Sequence, residues 1–291
     1  MNARRWRLLL FALTSATLTG GLTAAAQQGS GVVRTLTGPY LGQKPPGTTP
    51  EVFAPGIVST REDEHGFEVA ADGNEMVFVR GGAIMLIVRG PDGRWSGPAV
   101  APFSGKHIDG EPCFSPDGRR IYFCSRRPHP RARLASNVWV VDKGSTGWGN
   151  PVLVDLPTSR VIHAPSVAAN GTIYEDGLVR FTLQNGKYLP AEPLRPPGPG
   201  IWPFIAPDES FVLFSVRQQG RWDFDLFVRR RQIDGTWSAA LPLGKEVNAP
   251  TLMGNPFVTA DLRYVFFGSR FDVYWVSAET IPGHIAPAKG P

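Results

Sequence analysis

Residues 111–126 read EPCFSPDGRRIYFCSR. The stretch divides into an apolar run from Pro112 to Ser115, the triplet Pro116-Asp117-Gly118, and a second apolar run from Arg120 to Ser125. Proline pre-sets φ for a turn, aspartate bonds its own backbone, and glycine tolerates positive φ. Flanks rich in aromatic and β-branched residues suit half-buried strands. The segment therefore predicts a β-hairpin.

The hairpin recurs along the chain. Its turn positions are Asp72, Asp117, Asn170, Asp208 and Asp261, separated by 45, 53, 38 and 53 residues. A short apolar strand precedes each turn (67–70, 112–115, 165–168, 203–206, 256–259) and a second follows it (75–79, 120–124, 172–174, 211–215, 264–268). A third strand is expected in every unit: 83–88, 137–141, 178–183, 225–228 and 273–276. Four units continue into a fourth strand that opens on an aromatic and reaches a proline: Trp95 with Pro98, Trp148 with Pro151, Tyr188 with Pro193, Trp237 with Pro242. Four short antiparallel strands per unit at this period predict β-propeller blades. No helical period competes in the chain beyond its leader.

The fifth unit lacks its fourth strand. Residues 48–59, TTPEVFAPGIVS, have no partner nearby and carry an aromatic-to-proline pattern in Phe53 and Pro55. They are expected to complete the last blade, which removes the open edges of an unclosed array. The expected fold is all-β: a five-bladed β-propeller over residues 47–281, closed by an N-terminal strand, with residues 282–291 as a flexible tail. Six blades is the alternative, if the second or fourth interval hides a further unit.

The first 26 residues read as a signal peptide. Arg4, Arg5 and Arg7 precede the apolar run 8–18, and Ala24-Ala25-Ala26 forms the cleavage site. The apolar run is short for a membrane span, so no transmembrane segment is expected after processing. Residues 27–46, rich in Gly, Pro, Gln and Thr, read as a linker or surface strap. Export places the protein in the periplasm or outside the cell. The formal charge is +5, and removal of three leader arginines leaves +2. That balance withdraws compositional support for nucleic-acid binding. Only Cys113 and Cys124 are present, diagonal to one another across the hairpin. A bridge there would be strained, so both are expected as buried free thiols.

FSPDGRRIYFCSRRP followed by NVWVV resembles the Pro-Asp-Gly propeller repeats of the TolB type, a WD-like class. The resemblance is strongest in the second unit and covers residues 47–281 by pattern. The opening YLGQKPPGTTPEVFAPGIVS is similar to the start of exported bacterial proteins with such repeats. The resemblance implies fold and export. It does not carry over TolB's envelope partners, whose separate N-terminal domain has no counterpart in the linker here.

Catalytic and cofactor motifs are absent: no G-x-S-x-G, H-E-x-x-H, Walker loop or C-x-x-C occurs. No catalytic residue, metal site or cofactor is assigned. Asp223-Phe224-Asp225 is too sparse for calcium. Arg229-Arg230-Arg231 makes no stripe, because alternate strand residues point apart. Asn170-Gly171-Thr172 is a formal glycosylation acceptor that the repeat turn already explains.

Topology supplies the candidate site. First strands line a propeller's channel, so residues just before them gather at one mouth. The repeat alignment places His65, Glu111, His163, Trp202 and Asn255 there, and the ends of second strands add Arg126, Arg217 and Arg270. A competing reading pairs these arginines with blade acids as scaffold. Trp202 offers a flat face to a sugar or aromatic ring, and arginine a fork for a carboxylate. The expected function is an exported, non-catalytic binding or scaffold protein for a protein partner or an acidic or carbohydrate ligand. The alternative is a carbohydrate-active enzyme, a glycoside hydrolase or lyase, which needs two carboxyls flanking one bond. Glu111 is the firm nominee for that role, with Asp109 or Asp176 as its partner.

Overall fold

At all five repeat turns the Asp or Asn side chain accepts the backbone N–H two residues on. Asp72 accepts from Asn74, Asp117 from Arg119, Asn170 from Thr172, Asp208 from Ser210 and Asp261 from Arg263, at 2.9–3.1 Å. The next residue is left-handed in every case: Gly73, Gly118, Gly171, Glu209 and Leu262, with φ from +57° to +82°. Glu209 and Leu262 thus hold a conformation that glycine takes without strain. Glu209 is compensated, because it accepts the Tyr174 hydroxyl at 2.6 Å and pairs with Arg231 at 2.8 Å. Those contacts tie the third unit to the fourth.

The computed structural model describes residues 36–283, except 133, 219–222 and 249–251. The expected signal peptide, the expected linker up to residue 35 and the expected tail from residue 284 lie outside the described residues. The hairpins build five antiparallel blade sheets, and Leu183–Gln184 with Lys187–Tyr188 forms a separate two-stranded ribbon. Blade one is Glu64–Val69, Glu75–Arg80, Ala83–Val88 and Ala99–Val100. Blade two is Asp109–Phe114, Arg120–Ser125, Asn137–Gly144 and Val152–Leu153, with Gly147–Trp148 turned back on its third strand. Blade three is the shortest: Ser166–Val167, Ile173–Glu175, Val179–Phe181 and Glu192–Pro193. Blade four is Ile201–Ile205, Phe211–Arg217, Phe224–Arg230 and Leu241–Pro242. Blade five is Leu252–Val258, Tyr264–Ser269, Asp272–Ser277 and, from the other end of the chain, Glu51–Val52. Glu51 sits opposite Trp275 and Val52 opposite Tyr274. The molecule is a five-bladed β-propeller closed by its N-terminal strand.

The aromatic-to-proline pattern marks a different place from the one expected. Trp95 and Trp237 form isolated bridges to the residues just after their third strands, and Trp148 pairs with Lys143. The fourth strands start at the proline or beside it. One bond recurs in all five blades, from the residue after the fourth strand back to the third strand or its edge. Ala101 donates to Ile84, Val154 to Val138, Leu194 to Leu178, Leu243 to Leu226 and Phe53 to Val273. Phe53 therefore stands where Ala101 and Leu243 stand, not where Trp95 stands. The closure arises from a strand that precedes Phe53.

The seam between blades five and one is aromatic. Phe53 is fully buried and packs on Phe67 at 4.9 Å and Trp275 at 5.1 Å between ring centroids. Residues 36–46 cross the same seam. The Trp95 backbone N–H donates to Leu36 O and its indole N–H to Gly38 O. Tyr40 meets Tyr264 edge-on at 5.1 Å, and the Gln43 amide brackets Phe53 by bonding Val52 O and Ala54 N.

Each arginine of the 229–231 triplet is held within the chain. Arg229 is buried and donates to Ser238 O and Pro196 O, Arg230 donates to Pro282 O, and Arg231 pairs with Glu209. Cys113 lies opposite Tyr122, and Cys124 lies opposite Gly110. Both are buried and free.

Candidate functional site at one channel mouth

A β-bulge opens the first strand of four blades. Register shifts fall between His65 and Glu68, Gly110 and Cys113, Ile201 and Phe204, and within Leu252–Val258 between Gly254 and Phe257. Gly66, Glu111, Trp202 and Asn255 occupy equivalent bulge positions, with φ from +49° to +61°. One glycine and three residues with large polar or aromatic side chains thus share a left-handed backbone. Bulges re-aim side chains, and L-residues held in this region cluster at functional sites. The blade-three equivalent is Ala164, just before the two-residue first strand.

The bulges bring the side chains together. His65, Glu111, Trp202 and Asn255 line one cavity of about 180 Å³, with Asp63 and Phe271 on its wall. Glu111 is the hub. Its Oε2 accepts the Asn255 amide, and its Oε1 lies 3.7 Å from His65 Nε2. The other His65 nitrogen, Nδ1, lies 3.3 Å from Asp63 Oδ1. Burial raises the Glu111 carboxyl above its ordinary value, while His65 and the Asn255 bond pull it down. Asp176 pushes it further up and His163 pulls it down.

Two glycines make room for this arrangement. A Cβ on Gly66 would lie 3.2 Å from Glu111 Oε2. A Cβ on Gly254 would lie 2.5 Å from Ser215 Oγ and 2.8 Å from the Trp202 ring. Trp202 is further held edge-to-face by Phe224 at 4.9 Å, so its ring is fixed by packing.

Blade three adds two acids. Asp176 accepts the Trp202 backbone N–H at 2.7 Å, and its carboxyl is raised by burial. Glu175, almost fully buried, is pushed up to about 8 by burial and then by Asp176. Its Oε2 accepts the Asp176 N–H, and its Oε1 is buried without a hydrogen-bond partner. Two residues further along each first strand, Glu68, Cys113, Ser166, Phe204 and Phe257 face a smaller cavity of about 70 Å³. Glu68 accepts the Phe114 N–H at 2.7 Å, and burial pushes it up to about 8.

The recurrent arginines divide. Arg80 pairs with Glu64 at 2.8 Å and donates to Ile57 O and Val58 O. Arg127 pairs with Asp109 at 2.9 Å and donates to Ser125 Oγ and Phe103 O. Glu64 and Asp109 are equivalent strand starts, so these pairs are the scaffold contact expected of the repeat. The named candidates Arg126, Arg217 and Arg270 are exposed and do not line the cavity. His163 is exposed and is not among the residues that line the cavity. The sequence reading passed over Glu175, Arg160 and Phe271. Arg160, near enough to steady Glu175 and Asp176, lies in an irregular loop without a repeat position. Among the described residues, no group of three His, Cys, Asp or Glu is placed to hold a metal ion. No helix among them is long and apolar enough to cross a membrane.

Five four-stranded blades around a channel, with polar side chains gathered at one mouth, define the class as five-bladed β-propeller. No family model matches the chain, and no curated protein matches it in sequence. Solved structures similar to it include a TolB candidate from Agrobacterium tumefaciens, 17% identical over 72% of this chain and 70% of that one, at a TM-score of 0.45. An exo-1,5-α-L-arabinanase from a bovine ruminal metagenomic library is 12% identical over 74% and 92%, at 0.47. A Cellvibrio cellulosa α-L-arabinanase mutant is 15% identical over 72% and 88%, at 0.47. These likenesses are of fold, and the architecture itself rests on the strand pairing described above.

Proposed function

We propose that the protein is an exported, non-catalytic binding propeller of the TolB-type repeat class, with its ligand or partner seated at the Glu111 mouth. The observation that supports this most is the convergence of Glu111, Trp202 and Asn255, each in a left-handed bulge, on one cavity. A backbone that needed only to turn would use glycine there, as blade one does at Gly66. Export rests on the leader of residues 1–26. The test is binding to the purified protein followed by Trp202 fluorescence and calorimetry. Ligands that lose affinity in Trp202→Phe and Glu111→Gln support the reading. Affinity unchanged in both variants overturns it.

A second reading, a carbohydrate-active hydrolase, is favoured by one observation. Asp176 acts electrostatically on Glu111 and on its neighbour Glu175, and all three carboxyls are raised above their usual range. A raised carboxyl beside a second one is what acid–base cleavage of a glycosidic bond requires. Turnover of aryl glycosides that disappears in both Glu111→Gln and Asp176→Asn would establish it. Absence of turnover across pentose and hexose substrates would leave binding.

A further inference from the structure

Resting on the reading of this mouth as a ligand site, we propose that the group it takes is an organic cation. An ammonium or guanidinium would sit between the carboxylates of Asp63 and Glu111 and the rings of Trp202 and Phe271.

Size comes first. A cavity of about 180 Å³ holds about six waters at ~30 Å³ each. Pockets for drug-sized ligands run from about 300 to 1,000 Å³. One head group and a few carbons fill it.

Charge comes next. Among the described residues, no lysine or arginine lines the cavity. Glu64 is already neutralised by Arg80. Asp63 and Glu111 remain, with side chains 60% and 17% exposed, and His65 stands between them with one ring nitrogen toward each. Among the described lining residues an anion would meet two carboxylates and no guanidinium, which favours a cation over the acidic ligand expected from Arg126, Arg217 and Arg270. A cation would compete with the His65 ring for contact with both carboxylates.

The walls supply the third argument. Tryptophan presents the strongest aromatic face to a cation, and rings combined with carboxylates are how proteins hold alkylammonium groups. Trp202 is fixed against Phe224 and over Gly254. Phe271 is 57% exposed and sits in a turn with φ of +71°, outside the buried core. A phenylalanine presented to solvent at the edge of an acidic cavity is placed to cover a ligand. The cation can be a free amine or a lysine or arginine side chain of a protein. Ile108 and Val161, exposed near the same ends of the first strands, would flank the second.

The experiment titrates the purified exported protein with choline, butylammonium and butylguanidinium. It also uses 3,3-dimethylbutanol as choline's neutral isostere, an acetylated lysine tripeptide, glucose and glucuronate. Cations are expected to saturate a site seen by Trp202 fluorescence, with choline at least about tenfold tighter than its isostere. Asp63→Asn, a change on an exposed loop that leaves the fold alone, should weaken cations several-fold. Trp202→Phe and Glu111→Gln should do the same, and Arg126→Ala should not. A tripeptide much tighter than butylammonium assigns the cation to a protein partner, and equal affinity assigns it to a free amine. Equal binding of choline and dimethylbutanol overturns the inference. Trp202-dependent binding of a sugar without binding of cations also overturns it, but leaves the mouth as a ligand site. If no probe perturbs Trp202, both readings fall.

Discussion

Gly118 shows what the repeat asks of a single residue. Its φ is +67°, and a Cβ added there would meet nothing within 4 Å. Gly118→Ala therefore tests backbone strain alone, and a loss of about 1 kcal/mol is expected in denaturant unfolding. The buried acids give a second residue-scale prediction. Glu68 and Glu175 are raised to about 8, mainly by burial, whereas an unfolded glutamate ionises near ~4.3. Between those values the folded state binds more protons than the unfolded chain, so stability is full below the lower value and falls as pH rises through about 8. The melting temperature should drop by several degrees from pH 5 to pH 9, at about 2–4 °C per kcal/mol for a domain of this size. Glu175, which faces Asp176 and Arg160, should account for part of the slope. A Glu175→Gln variant as steep as the parent would show that its burial does not matter.

At the scale of elements, the turn signal was legible and the fourth strand only partly so. Asp117 and its four counterparts announced five hairpins because their side chains act locally, on the backbone two residues away. The outer strands are two residues long in all five blades, too short for an alternating pattern to register. Their tryptophans marked the bridge after the third strand instead. The N-terminal strand was assigned to the correct blade, with Phe53 shifted in register. Phe53 is fully buried, so Phe53→Ala should cost about 3–5 kcal/mol through the cavity left in the blade-five seam. Deleting residues 1–59 removes both the strand and that ring. It should expose Asp272–Ser277 as an unpaired edge and cause association visible by light scattering. A deletion that stays monomeric with unchanged melting would contradict closure by this strand.

For the whole molecule, the mouth is a place that five separate units build together. Glu111 from blade two is bonded by Asn255 from blade five and faced by His65 from blade one, with Asp176 and His163 of blade three nearby. If the site takes a cation, its affinity should fall as pH is lowered, starting above the ordinary carboxylate range, because Glu111 takes up its proton early. Calorimetry of choline across pH checks this, and affinity that rises on acidification would point to an anionic ligand. Intact-mass measurement on secreted protein should find Gln27 as the first residue.

The sequence by itself determined the five turns, and through their alignment a five-bladed ring in preference to six blades. Each of those follows from interactions between residues close in the chain, or from the alignment of equivalent positions. Only the tertiary structure decided which of the recurrent side chains act together. The bulges at Glu111, Trp202 and Asn255 leave no local signal, since no turn residue marks them. Arg126, Arg217 and Arg270 looked like ligands in the alignment, yet none of them is among the residues that line the cavity. The sign of the site's charge is a sum over four blades, and distances between blades are set by packing of the whole ring.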